Sequence, residues 1–202
     1  VSAPQPAARK PRADVARNRA RILDTALSHF SERGAGTSLE AIAKDAGVGP
    51  ATLYRHFPTR EALLAAALDV HGEALLEQLP SLQGVADADE ALRRWMRALE
   101  GYLSTFSGLP EPVLAALASY DSPLAANCEK LIAITDDFVD AAQRHGTVRP
   151  TVRGSDLFMA ALFLAWTRNA PIGGDALPTL RDLLETGYSA KELDQPRTRL
   201  TR

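Results

Sequence analysis

Apolar residues recur three and four positions apart along most of the chain, the spacing that gathers them on one stripe of an α-helix. Val15, Ile22, Leu23, Ala26, Leu27 and Phe30 define a first helix over 15–30, stopped by Gly34-Ala35-Gly36. A second begins at Thr37, which stands at capping-box spacing from Glu40; it carries Leu39, Ile42 and Ala43 and ends at Gly47. A third runs over 50–57, with Pro50 in the first turn, where a missing N–H costs nothing, and Pro58 beyond it. Thr59 caps a fourth, which continues through Leu63, Leu64, Ala67, Leu68 and Leu75 to residue 79, and residues 80–87 read as a linker. Asp87 and Glu90 cap a fifth helix ending at 106. Pro110 and Pro112 open a sixth ending at 119, and Ser122-Pro123 a seventh lasting to 145. Ser155 caps an eighth over 156–168 and, beyond the break at Gly173-Gly174, a ninth covers 177–188. No segment alternates with the period of a strand. The expectation is an all-α chain: a three-helix N-terminal domain over 14–58 and a six-helix domain over 59–190, flanked by a basic arm (1–13) and a tail (191–202).

The second and third helices have the proportions of a helix-turn-helix, two short helices joined through Gly47-Val48-Gly49. Ala41 and Ala46 are small enough for close crossing, and Gly47 can take the left-handed conformation of a sharp turn. Val48, Leu53 and Phe57 fall on the inner side. Gly49, Pro50, Ala51, Thr52, Tyr54, Arg55 and His56 are left outside, where a recognition helix presents its N-terminal residues to base edges. Thr52 suits a base edge or a thymine methyl, Arg55 either a guanine or a phosphate. Tyr54, His56 and Arg60 suit phosphates. Thr37, Ser38 and Thr59, at helix starts, complete the expected DNA-facing set.

Charge supports that reading only after the chain is divided. The whole carries 23 Lys/Arg and 25 Asp/Glu, a net of −2 that argues against a polyanionic partner. Residues 1–60 hold ten basic and five acidic side chains, a net of +5, so the remainder stands at −7. Arg9, Arg12 and Arg17 of the arm fit either a minor-groove contact or plain solvation. The single cysteine, Cys128, excludes an internal disulfide or a Cys-rich zinc site and fits a cytoplasmic protein. No signal peptide is evident, and the longest apolar run, residues 157–166, is far short of a membrane span. The four histidines lack metal spacing, and no phosphate loop or nucleophile elbow is present, so neither catalysis, a metal nor a cofactor is expected.

Residues 37–64, above all Thr52-Leu53-Tyr54-Arg55-His56-Phe57-Pro58-Thr59-Arg60-Glu61, resemble the TetR/AcrR family of bacterial regulators. The resemblance covers about residues 15–65; Gly49 departs from it, standing where a polar residue is usual. It implies a homodimer on a near-palindromic double-stranded DNA operator, most often a repressor released by a small molecule. The competing reading is a helical protein-interaction scaffold, or a regulator without a small-molecule effector; the basic N-terminal third speaks against the scaffold.

The eighth helix is apolar nearly all round and needs cover on every side, which a partner subunit would supply. Leu157, Ala161, Leu164 and Arg168, with Leu180 and Leu184 of the ninth helix, are the expected interface. An effector pocket between helices would draw on Trp95, Met96, Leu99, Tyr102, Phe106, Tyr120, Phe138, Phe163 and Trp166, although ordinary core is the expectation for any single one of them. Asp136, Asp137 and Asp140 would attract a cationic ligand if one of them faced inward, but a solvated face is the expectation.

Overall fold

Helix α1 (Lys10–Arg33) buries Ile22, Ala26 and Phe30 completely and ends at Gly34, whose φ of +83° turns the chain back. It starts five residues before the expected helix, because no proline or glycine interrupts residues 12–15; the supposed arm is therefore helical from Lys10. The computed structural model describes residues 10–119, 121–170 and 176–190, with side chains from residue 14 onward, so Arg9, Tyr120 and Gly173-Gly174 lie outside the described residues, as do the tail residues 191–202 and the side chain of Arg12.

The short helix α2 (Leu39–Asp45) is capped by Ser38, whose hydroxyl accepts from the Ala41 amide at 3.3 Å. This corrects the expected Thr37 cap. Thr37 is buried and its hydroxyl donates back to the Gly34 carbonyl at 3.0 Å, leaving the exposed Ser38 to satisfy the free amide. Gly47, at φ +63°, makes the turn into α3 (Pro50–His56), and Leu53 and Phe57 anchor α3 against the first two helices.

Helix α4 (Arg60–Leu76) is capped by Thr59 (hydroxyl to Ala62 amide, 3.1 Å) and buries every residue from Leu63 to Leu68. Covered on all sides over that stretch and exposed at Asp69, Val70 and His71 beyond it, it joins the two parts of the molecule, with α1 against one end and the C-terminal bundle against the rest. The expected linker contains a further short helix, α5 (Leu79–Gln83), nucleated by Pro80 near its start. Helices α6 (Ala88–Leu103), α8 (Pro123–Arg144) and α9 (Gly154–Asn169) form the centre of the bundle, with α7 (Pro110–Leu117) across one end and α10 (Leu177–Tyr188) along α9. The described residues therefore contain ten helices, not nine, and no strand, apart from a single antiparallel bridge between Val148 and Ser189.

The two parts meet at an aromatic joint. Phe106 of the α6–α7 corner touches Phe30 of α1 (centroids 5.6 Å apart) and stacks on His71 of α4 at 5.3 Å. Beside it the Ala35 amide donates to the Ser107 carbonyl at 2.8 Å, tying the α1–α2 turn to the bundle.

Candidate DNA-binding face and regulatory bundle

The outer side of α3 presents Gly49, Pro50, Ala51, Tyr54 and Arg55 to solvent, with Thr52 and His56 half-buried beside them. Ser38 and Thr59 are exposed on the flanks. The face is thus a small-residue ridge at the N-terminus of α3, where a backbone can come close to another surface, followed by longer polar side chains. Its underside is fixed by Leu53 and by Phe57, over whose ring the Arg19 guanidinium lies at 5.0 Å.

Three residues behave differently from a reading of the sequence alone. Thr37 points its hydroxyl inward, as described. Arg60 donates to the carbonyls of Ala35 (3.1 Å) and Thr37, clamping the α1–α2 turn with the group expected to meet a phosphate. Glu40 accepts hydrogen bonds from Ser38 (2.7 Å) and Tyr54 (3.3 Å), the two hydroxyls best placed for phosphates. The Ser38 hydroxyl, the Glu40 amide and the Tyr54 hydroxyl hold this carboxyl below the usual carboxylate range. Arg21 likewise donates to the Ala46 carbonyl at the end of α2, and the buried ring of His29 bonds Asp45 at 2.9 Å. Such clamps join residues more than fifteen positions apart, so no local spacing signals them.

In the bundle the expected pocket residues separate into two groups. Trp95, Leu99, Phe106 and Phe138 are buried core. Trp95 stacks on Phe138 at 5.5 Å and its indole N–H donates to Thr135 at 2.9 Å, so its polar atom is satisfied internally. Tyr102, half-buried, donates to the Leu68 carbonyl at 3.2 Å, and burial pushes its phenol above the usual range. Phe163 and Trp166, by contrast, stand outside with about half their surface exposed (49% and 48%), stacked on each other at 6.1 Å.

The expected interface residues move the other way. Leu157, Ala161 and Leu164 are buried within the subunit, and the outer face of α9 is Met159, Phe163 and Trp166, with Leu183 exposed on α10. Leu180 and Leu184 are half-buried and Arg168 is exposed. Leu157, Ala161 and Leu164, expected at an interface, thus lie inside the fold, and Phe163 and Trp166, expected to line a pocket, lie outside, because a helix apolar on all sides carries no signal of which side faces in. Leu157, Leu164 and Leu184 instead line, with Met96, a cavity of about 20 Å³ between α6, α9 and α10, room for one water-sized group. A more open cleft of about 220 Å³ lies between α4, α6 and α8, beside Tyr102.

Comparison with known proteins agrees with this architecture. Residues 22–67 match the family of bacterial regulatory proteins of the tetR type, and residues 87–188 match the C-terminal domain of SbtR-like transcriptional regulators. A TetR transcriptional regulator of Streptomyces coelicolor is 35% identical, with a TM-score of 0.56 over 85% of this chain and 98% of that one. AibR, solved with isovaleryl coenzyme A and operator DNA, is 26% identical, with a TM-score of 0.54 over 85% of this chain and 97% of its own. An HTH-type transcriptional repressor of Mycobacterium tuberculosis is 35% identical over 118 residues, 53% of this chain and 63% of that protein. The chain spans 35% to 66% of the length of the curated relatives it matches. Both the DNA-binding helices and the bundle behind them therefore place this chain in the TetR family of bacterial transcriptional regulators.

Proposed function

We propose that the chain acts as a homodimeric repressor that sets one α3 into each half of a near-palindromic operator and is released by a small molecule. The observation that carries this reading is a pair of separate, unpartnered surfaces. One is the polar, small-residue face of α3; the other is the apolar face formed by Met159, Phe163, Trp166 and Leu183. Large apolar side chains left exposed on a folded chain mark an interaction site, and a two-fold axis covers two copies of them at once. A dimer also gives the α3 helices a fixed separation, which a palindromic site requires. AibR, crystallised with operator DNA and an acyl coenzyme A, and the mycobacterial repressor supply the precedent for operator binding, a small-molecule effector and repression. Work on an operator belongs to the cytoplasm, and among the described residues no helix is long and apolar enough to cross a membrane.

Within this reading Thr52 and Arg55 read bases, while Ser38, Tyr54, His56 and Thr59 hold phosphates. Gly49, Pro50 and Ala51 admit the backbone to the groove. Arg60 and Thr37 act indirectly, by fixing the turn that carries Ser38. Selection of binding sites from random duplexes, followed by mobility shift at several salt concentrations, tests the proposal. The expected result is an inverted repeat whose affinity falls steeply with salt; binding that shows no sequence preference at any salt would overturn it.

A further inference from the structure

Helix α1 is longer than the core it serves. Its second half carries Ile22, Ala26, His29 and Phe30, all buried, and its last turns meet the bundle, where Phe30 touches Phe106 and the Ala35 amide bonds Ser107. Its first half covers nothing. Residues 14–17 and 19–21 are exposed, Val15 by 55%, and Asn18 is half-buried. The charges divide in the same way. Residues 10–21 hold five basic side chains against Asp14, whereas residues 22–33 hold Asp24 and Glu32 against Arg33. Like charges at Arg17 and Arg21, four positions apart, oppose a helix here. The stretch is helical because it continues a packed helix and needs no nucleus of its own.

Two contacts set its direction. The Arg19 guanidinium lies 5.0 Å over the ring of Phe57, at the end of α3, and Arg21 donates to the Ala46 carbonyl at the end of α2. Phe30 is thus beside the bundle and Arg19 beside α3, so the axis of α1 leads away from the bundle, past the recognition helix and beyond it. Residues 10–18 carry it roughly 13 Å further, at about 1.5 Å per residue. On this projection Arg17 meets Asp14 at 3.6 Å, with both side chains more than half exposed, a weak pair that a phosphate can displace. Arg12 stands on the same helix, two turns before Arg19.

We propose that the first half of α1 is a preformed rail for the DNA phosphates flanking each half-site, with Arg12 and Arg17 as its contacts. Two grounds identify the partner as duplex DNA. The projection is continuous with the exposed face of α3 through Arg19 and Phe57, and its excess positive charge complements a polyanion. A helix about 10–12 Å across does not enter a minor groove about 6 Å wide, so it rides outside the groove and meets its phosphate edge. Because the helix is already formed, binding orders side chains but no backbone. The inference rests on the proposed function in placing α3 in the major groove.

Fluorescence anisotropy of the full chain on a selected operator duplex and on a random duplex of equal length, over a range of salt concentrations, tests the rail. Each phosphate neutralised contributes about 0.9 to the slope of log affinity against log salt. Arg12→Gln combined with Arg17→Gln removes two contacts from each subunit of the dimer. The slope should flatten by about three to four on both duplexes, and binding at low salt should weaken on the order of a hundredfold. Arg17 packs on no core residue, so the melting temperature should hold. Arg144→Gln, exposed in the last turn of α8, removes a charge elsewhere and should leave the slope unchanged. Ala16→Pro keeps every charge but breaks the helix between the two arginines, and should weaken binding about tenfold. An unchanged slope in the double variant, or an Ala16→Pro variant as tight as the parent, would overturn the rail. The random duplex keeps the two readings apart: a parent that prefers no sequence overturns the proposed function, while the slope difference still decides the rail.

Discussion

Replacement of Trp166 by alanine is the most direct probe of the apolar outer face. The side chain is 48% exposed in the isolated subunit and stacks on Phe163, itself 49% exposed. A large aromatic contributes roughly 150–250 Å² of surface when fully buried, so about 100 Å² of Trp166 remains for a partner to cover. The two-fold symmetry of the proposed dimer doubles the effect and alanine restores a small part, so the variant dimer buries about 150 Å² less apolar surface. At about 25 cal/mol per Å² the dimer is weakened by about 4 kcal/mol, on the order of 10³-fold in dissociation constant. The subunit itself is little affected, since the inner flank of α9 (Leu157, Phe158, Ala161, Leu162) keeps its packing. Sedimentation from nanomolar to micromolar protein should find the variant monomeric where the parent is dimeric, with an unaltered circular dichroism melt. Mobility shift should show it binding the full operator no better than a half-site. A dissociation constant unchanged within about threefold would refute the assignment of this face.

Glu40→Gln removes a carboxylate that occupies the hydroxyls of Ser38 and Tyr54 on the DNA-facing side; operator affinity at low salt should rise several-fold, measured by fluorescence anisotropy, and a fall would contradict the proposed phosphate roles. Gly34→Ala meets both left-handed backbone strain and a clash, because its new Cβ would lie 2.5–2.6 Å from Oγ and the carbonyl oxygen of Ser107. Urea unfolding should show destabilisation by about 2–4 kcal/mol, against about 1–2 kcal/mol for Gly108→Ala, which is strained at φ +73° but meets nothing within 4 Å. Cys128 is 4% exposed and burial pushes its thiol up to about 11, so it should resist a thiol reagent at pH 8 in the native protein and react at once in denaturant.

Local signals carried much of the fold. Capping serines, threonines and aspartates and the N1 prolines marked helix starts, and Gly34 and Gly47 marked two of the stops. These are decided within one turn of chain, which is why most helices lie within a few residues of their expected ends. Three places depart from that rule. Ser155, the expected cap of α9, lies inside the helix, which begins at Gly154 with Arg153 as its N-cap, the Arg153 amide donating to the Asp156 carboxylate at 2.9 Å. Thr37 and Ser38 are both competent caps, and only the packing of the α1–α2 turn, which buries Thr37, selects Ser38. Helix α5 lies where turn-forming residues suggested a linker; Leu82, buried against the bundle, gives it a place to pack.

The amphipathic pattern of α1 to α3 fixed in advance which side of α3 is free, since Leu53 and Phe57 have one apolar side to occupy and Tyr54 and Arg55 are left outside. The sequence by itself therefore determined the all-α class, the helix-turn-helix and its solvent face. It did not determine the faces of α9. With apolar residues at nearly every position, that helix satisfies its own sequence in any rotation, and the choice falls to its neighbours. Packing against α6 and α8 draws Leu157, Ala161 and Leu164 inward and leaves Phe163 and Trp166 outside. The same holds for Arg60 and Arg21, whose partners are set by chain segments distant in sequence. Hydrophobic period reports how one helix divides itself between core and water, and only tertiary packing decides what a uniformly apolar helix, a long cation or a buried hydroxyl meets.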